Sequence, residues 1–310
     1  MSKTTTKREK ILWKRQIPLF LMTIPGCIYL MINNYIPIFG IFIAFKNIDY
    51  GKGIFKSDWV GLSNFTYLFK TKDAFIMTRN TVLYNLAFII IGTVMGIAVG
   101  IMLSELRGKF KSKFYQTMIL LPYLLSWVIV AYIGYAFMSN DTGLLNNTIL
   151  PKLGLKPVSW YAEPKAWPFI LTFVNIWKGI GYSSILYLST IIGIDKSLYE
   201  AAQVDGASKW KQIRNITLPL LKPMVIMLVI MNIGRIFNSD FGLFYQLPMN
   251  SGALYPTTQT IDTYVYRGLM QLNDVSMSAA AGLYQSVVGF MLVIIANSIV
   301  RKVSSENALF

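Results

Sequence analysis

Residues 200–219 read EAAQVDGASKWKQIRNITLP, and their types and spacing suit contact rather than catalysis. Glu200, Ala201 and Ala202 stand together, Gly206 follows after three residues, and Ile216 precedes Leu218-Pro219 nine residues further on. Small side chains at 201, 202 and 207 let another protein come close. Leu198, Tyr199 and Trp210 set apolar groups among charges, the pattern of a helix presented to a groove. Ser197 and Glu200 fit a capping box, which predicts a short helix running to Asp205. Gly206 ends it, because a helix stop needs the left-handed conformation that glycine takes freely. Ser208 caps a second short helix through Ile216. Thr217-Leu218-Pro219 then turns the chain into the next apolar segment.

Other chemistries find no footing. The chain has no His, which removes the commonest general base and metal ligand. Its single cysteine, Cys27, lies in an apolar run and makes neither an internal disulfide nor a thiolate cluster. GKGIFKS at 51–57 lacks the spacing of a phosphate-cradling loop. The carboxylates stand apart, without the pairing acid–base catalysis uses. No catalytic residue, no metal site and no cofactor bound by this chain is therefore expected.

The elements around 200–219 are long and apolar. Of 310 residues, 54% are hydrophobic and only 14% charged, where soluble domains run near 25%. A spanning helix needs about 20 apolar residues, and six segments qualify. They are Ile17 to about Pro37 (with 38–45 as an outer extension), Thr81–Leu103, Phe114–Met138, Ala166–Ile194, a shorter one from near Pro219 through Ser239, and Ser276–Val300. The fold class expected is all-α, polytopic and membrane-embedded. Six spans put both termini on one face. That face (1–16, 104–113, 195–222, 301–310) holds 17 Lys/Arg against 6 Asp/Glu, and the other holds 10 against 8. The positive-inside rule makes the first face cytoplasmic. Orientation and anionic lipid headgroups account for the basic excess, with no nucleic acid partner. The chain thus divides into a cytoplasmic N-terminus at 1–16, a first span with its extracellular segment at 17–78, a five-span core at 79–300 enclosing the loop 195–219, and a cytoplasmic tail at 301–310.

The 200–219 pattern resembles the signature loop of the membrane subunits of ABC importers, complete in Glu200-Ala201-Ala202, Gly206, Ile216 and Leu218-Pro219. The likeness extends over nearly the whole chain, through YIPIFGIFIAFKN (35–47), WVGLSNFTYLF (59–69), LSELRGKFKSKFYQTMILLPYLLSW (103–127) and SAAAGLYQSVVGF (278–290). These are similar to sugar-importer permeases of the complex polysaccharide and oligosaccharide branch, related to maltose-type permeases. The resemblance implies a type I importer fold in a bacterial plasma membrane, working by alternating access. It implies that Glu200, Ala201, Ala202, Asp205, Gly206, Ile216, Leu218 and Pro219 couple to an ATPase. It also implies two ATPase subunits that carry ATP and Mg, a second and different permease, and an extracellular or periplasmic sugar-binding protein.

Charges inside spans are costly and mark pathways by default. Lys178 falls near the middle of its span, and Arg235 nearer the outer face. Asn175, Asn232 and Asn238 share these two spans, with Trp177 and Tyr182 beside Lys178. Aromatic faces suit sugar C–H faces, and Asn, Lys and Arg reach hydroxyls, so these seven are the expected substrate path. The alternative for Lys178 and Arg235 is structural hydrogen bonding to backbone carbonyls or to a partner permease. Two cations would also suit an acidic sugar, without specifying one. Rival functions are an ABC permease for amino acids or peptides and a secondary transporter. The latter predicts acidic or His relay residues within the spans, and none occurs.

Overall fold

The computed structural model describes residues 2–303, so most of the tail expected at 301–310 lies outside the described residues. The chain is a helical membrane protein with a single two-stranded sheet, Lys46–Asn47 against Asp58–Trp59, among the described residues. Its long helices are α1 (Ser2–Leu30), α2 (Lys72–Ser104), α3 (Lys109–Leu124), α4 (Trp127–Met138) and α5 (Trp167–Ile192). Two short helices follow, α6 (Lys196–Val204) and α7 (Lys209–Gln212), then α8 (Leu218–Ile233), α9 (Ile261–Met270) and α10 (Val275–Val303). Among the described residues, five helical segments are long and apolar enough to cross a membrane, and α3 with α4 make a sixth crossing only as a bent pair.

That bent pair corrects one expectation. Phe114–Met138 is not a continuous helix: α3 stops at Leu124 and α4 leaves at 93°. Hydropathy alone reads an unbroken apolar run. Ser126, however, accepts from the Ile129 amide as the N-cap of a new helix. Pro122 sits in the last turn of the old one.

Proline shapes the other helices in a different way. Among the described residues there are four π-helical turns, at Met31–Tyr35, Leu145–Ile149, Ile213–Thr217 and Gly242–Gln246. Each is followed by one residue and then a proline: Pro37, Pro151, Pro219 and Pro248. A proline ring within a helix collides with the carbonyl four residues back. The wider turn removes that collision, because the amide before the ring bonds five residues back instead. Ile36 donates to Met31, Leu150 to Leu145 and Leu218 to Ile213 in this way. The turn expected at Thr217-Leu218-Pro219 is accordingly absent, and Lys209–Ile233 runs as one helical segment into the membrane. The first span likewise continues past Pro37, through a 3-10 stretch, to Phe45.

The core centres on α2 against α5. Gly100 lets the two backbones meet, since a Cβ there would stand 3.1 Å from the Ser184 carbonyl and from Tyr187 Cβ. Small residues at such crossings are how membrane helices gain packing without a hydrophobic drive. Tyr187, Ile191 and Leu221 then form a cluster at the loop end, and Trp167, Leu171, Leu243, Phe244 and Leu254 form one at the opposite end.

Candidate functional site

At the loop end, α5 passes through Gly193 into α6, which is capped by Asp195 rather than by Ser197. Asp195 Oδ1 accepts from the Ser197 amide at 3.0 Å. Ser197 is therefore inside the helix, and Glu200 is exposed instead of closing a capping box. The expectation failed because Asp is as good a cap as Ser and stands two residues earlier. That hydrogen bond holds the Asp195 carboxyl below the usual carboxylate value.

The rest of the loop follows the sequence closely. The helix stops at Asp205. Gly206 takes φ +72°, and Ala207 N–H returns to the Ala202 carbonyl at 2.8 Å. Ser208 caps α7 by accepting from Lys211 N–H. The outward face carries Leu198, Glu200, Ala201, Asp205 and Trp210, along with Val204, which is 88% exposed. Tyr199, Ala202 and Ala207 are half-buried instead of exposed. The Tyr199 hydroxyl meets Thr217 at 2.9 Å and so ties α6 to the root of α8. Ile216 is half-buried there, while Leu218 and Pro219 are exposed. Sequence reasoning missed Glu105, which pairs with Lys209 at 3.0 Å across a cavity of 470 Å³ bounded by the ends of α2, α5 and α6. Nothing local in the sequence signals a contact spanning so many residues.

A second cavity, of 620 Å³, lies between α2, α5 and the end of α8. Five of the seven expected path residues line it: Asn175, Tyr182, Asn232, Arg235 and Asn238. Tyr123, Asn85 and Asp240 join them. Tyr123 and Tyr182 stack, with ring centroids 5.0 Å apart and planes 13° apart, and each is nearly half exposed. Among the described residues, the side chains of Asn175, Asn232 and Arg235 and the two tyrosine hydroxyls make no hydrogen bond. The cavity thus offers uncommitted donors and acceptors beside an aromatic face, which suits a polar ligand with C–H faces.

Trp177 and Lys178 do not line this cavity. Lys178 is only 9% exposed, and its ammonium donates to the carbonyls of Leu125, Tyr123 and Pro122 at 2.6, 2.9 and 3.3 Å. Among the described residues, the Tyr123 and Leu125 carbonyls find no backbone donor where α3 breaks, and the Pro122 carbonyl also accepts from the Leu125 amide at 3.2 Å. Gly181 allows the approach, since a Cβ there would overlap the Ile119 carbonyl. The turn after α8 is held in the same way. Asn85 donates to the Ile236 and Asn238 carbonyls at 2.9 and 3.0 Å, and Gln285 donates to the Phe237 carbonyl at 2.7 Å.

Fold, loop and cavity define a polytopic membrane permease. Residues 92–305 match the binding-protein-dependent transport system inner membrane component family, and the chain belongs to that family. It is 34% identical over 303 residues to the polygalacturonan/rhamnogalacturonan transport system permease protein YteP of Bacillus subtilis (strain 168), covering 97% of this chain and 94% of that one. It is 33% identical to protein LplB of the same organism, over 95% and 92% of the two chains. A crystal structure of a bacterial ABC transporter involved in the import of the acidic polysaccharide alginate contains a chain that superposes with a TM-score of 0.86. That chain is 33% identical, with 96% of this chain and 99% of that one covered. A further structure, of a bacterial alginate ABC transporter with a pentasaccharide-bound periplasmic protein, gives a TM-score of 0.84 at 33% identity, over 94% and 96% of the chains.

Proposed function

We propose that this chain is the permease through which an ATP-driven ABC importer moves an oligosaccharide or complex glycan into the cell by alternating access. The carrying observation is that one pair of helices joins both functional places. α5 and α8 line the cavity of uncommitted polar groups and leave it directly into the exposed 195–208 loop. The polysaccharide cargoes named for the similar transporters support the substrate class.

The permease holds no ATP chemistry of its own, and a pair of ATPase subunits carrying ATP and Mg docks on Glu200, Ala201 and Asp205 around the Gly206 elbow. The loop, both termini and the basic face are cytoplasmic. A second permease completes the pathway. A sugar-binding protein delivers cargo at the opposite face, where Asn175, Asn232, Arg235 and Asn238 reach its hydroxyls and Tyr123 and Tyr182 meet a pyranose face. Pulling down the assembled complex through this chain and measuring its ATPase rate tests the reading. A bound ATPase stimulated by one glycan class with the binding protein present is the expected result. Recovery of the chain without any ATPase would overturn it.

A further inference from the structure

The break between α3 and α4 is gripped from two directions, once by α5 and once by the turn that follows α8. From α5 comes Lys178, whose three ammonium protons match the three carbonyls of Pro122, Tyr123 and Leu125. From just beyond α8 comes Asp240, whose Oδ2 accepts from Trp127 Nε1 at 2.8 Å at the start of α4. The Trp127 ring stands between the two charges, 5.1 Å from the Lys178 ammonium. Backbone carbonyls facing a membrane interior without donors are prohibitively costly, and a cation at a helix C-terminus is favoured by the helix dipole. Lys178 therefore supplies the donor for the Tyr123 and Leu125 carbonyls, which have no backbone partner among the described residues at the break. α5 leads into the loop at Asp195, and α8 emerges from it through Lys209. A movement of the loop thus reaches the joint directly along α5, and through α8 and the turn after it to Asp240.

Resting on the importer reading above, we propose that Lys178 and Asp240 are positioning residues that transmit loop movement to the α3–α4 joint, so that nucleotide binding at the ATPase changes the angle of this broken span. Neither residue touches the ATPase. Lys178 acts through the α3 carbonyls, and Asp240 through Trp127. Lys178 thus serves as the pivot of the span, apart from any contact with cargo.

The test uses the whole transporter in nanodiscs, with this chain as Cys27→Ser and nitroxides at Phe114→Cys on α3 and Tyr132→Cys on α4, both exposed sites. Their separation is measured by pulsed electron resonance without nucleotide and with ATP trapped. In the otherwise native chain the separation shifts on trapping. In Lys178→Met the shift is lost, whereas Lys178→Arg, which keeps a charged donor, retains it. If Lys178→Met does not assemble, Lys178→Gln and Asp240→Asn carry the same comparison, because a purely structural role would leave the nucleotide response intact in whatever assembles. No shift in the native chain, or an equal shift in the variants that assemble, would overturn the proposal. A complex that neither binds nor hydrolyses ATP would instead overturn the importer reading.

Discussion

Glu105, at the end of α2, lies 3.0 Å from Lys209, at the start of the helix that becomes α8. The pair ties the second arm of the loop to a core helix that is remote in sequence. Both groups are about half exposed, and such pairs contribute little to stability. Its effect should therefore appear in coupling and not in folding. Glu105→Lys, which sets like charges face to face, should leave yield and melting temperature near those of the native complex. It should also lower cargo-stimulated ATPase more than Glu105→Gln does. Equal rates in the two variants would remove the pair from the coupling account.

Gly206 and Glu200 test the loop itself. Any other residue at φ +72° is strained, at a cost of about 1–2 kcal/mol, and Gly206→Asp adds a charge at the elbow. Glu200→Lys reverses the exposed charge on α6. Both should abolish cargo-stimulated ATPase while the binding protein keeps its affinity for sugar. Normal stimulated rates in both would contradict the loop's assignment.

The stacked Tyr123–Tyr182 pair predicts an asymmetry between substitutions. Phe at either position keeps the ring face, and Ala removes it. Tyr182→Ala should raise the KM for uptake by about tenfold or more, on the scale of a lost 1.4 kcal/mol of binding, while Tyr182→Phe should stay close to native. Uptake assays with one labelled oligosaccharide decide it, and a Phe variant as poor as Ala would make the hydroxyl, not the face, the binding group.

Gly181 carries the close contact of α5 with α3. Gly181→Ala places a methyl group into the Ile119 carbonyl, an overpacking that costs ~1–3 kcal/mol. Thermal unfolding of the purified complex should shift down. Gly179→Ala, two residues away with open space at its Cβ, should not, and a matching loss there would undo the packing argument.

Acid pH acts on α6 through Asp195. Its carboxyl titrates below the usual value because the Ser197 amide donates to the ionised form. The cap is therefore at full strength above the unfolded value of about 3.9, and it weakens as pH falls through the lower folded value. Hydrogen exchange at Ser197 should show native protection exceeding that of Asp195→Ala at neutral pH, with the difference closing in acid. A difference that persists unchanged into strong acid would contradict a cap held by the carboxylate.

Much of this was legible in the sequence. The Gly206 elbow and the Ser208 cap follow from local rules, and five of seven expected path residues do line one cavity. The failures have two causes. Periodicity and hydropathy describe a segment in isolation, while the carbonyls exposed at the α3–α4 break are met by Lys178, more than 50 residues away. Ser126 after Pro122 was the available local signal. The π turns before Pro37 and Pro219 were hidden for the opposite reason: a proline reads as a stop, and a helix that widens by one residue passes it.

The most direct test of the account is uptake by proteoliposomes that contain the complete transporter, with a labelled acidic oligosaccharide, its binding protein outside and ATP inside. Accumulation that requires ATP and the binding protein, and that Glu200→Lys abolishes, is the predicted result. ATP-independent uptake, or uptake of amino acids or peptides in place of any glycan, would contradict it.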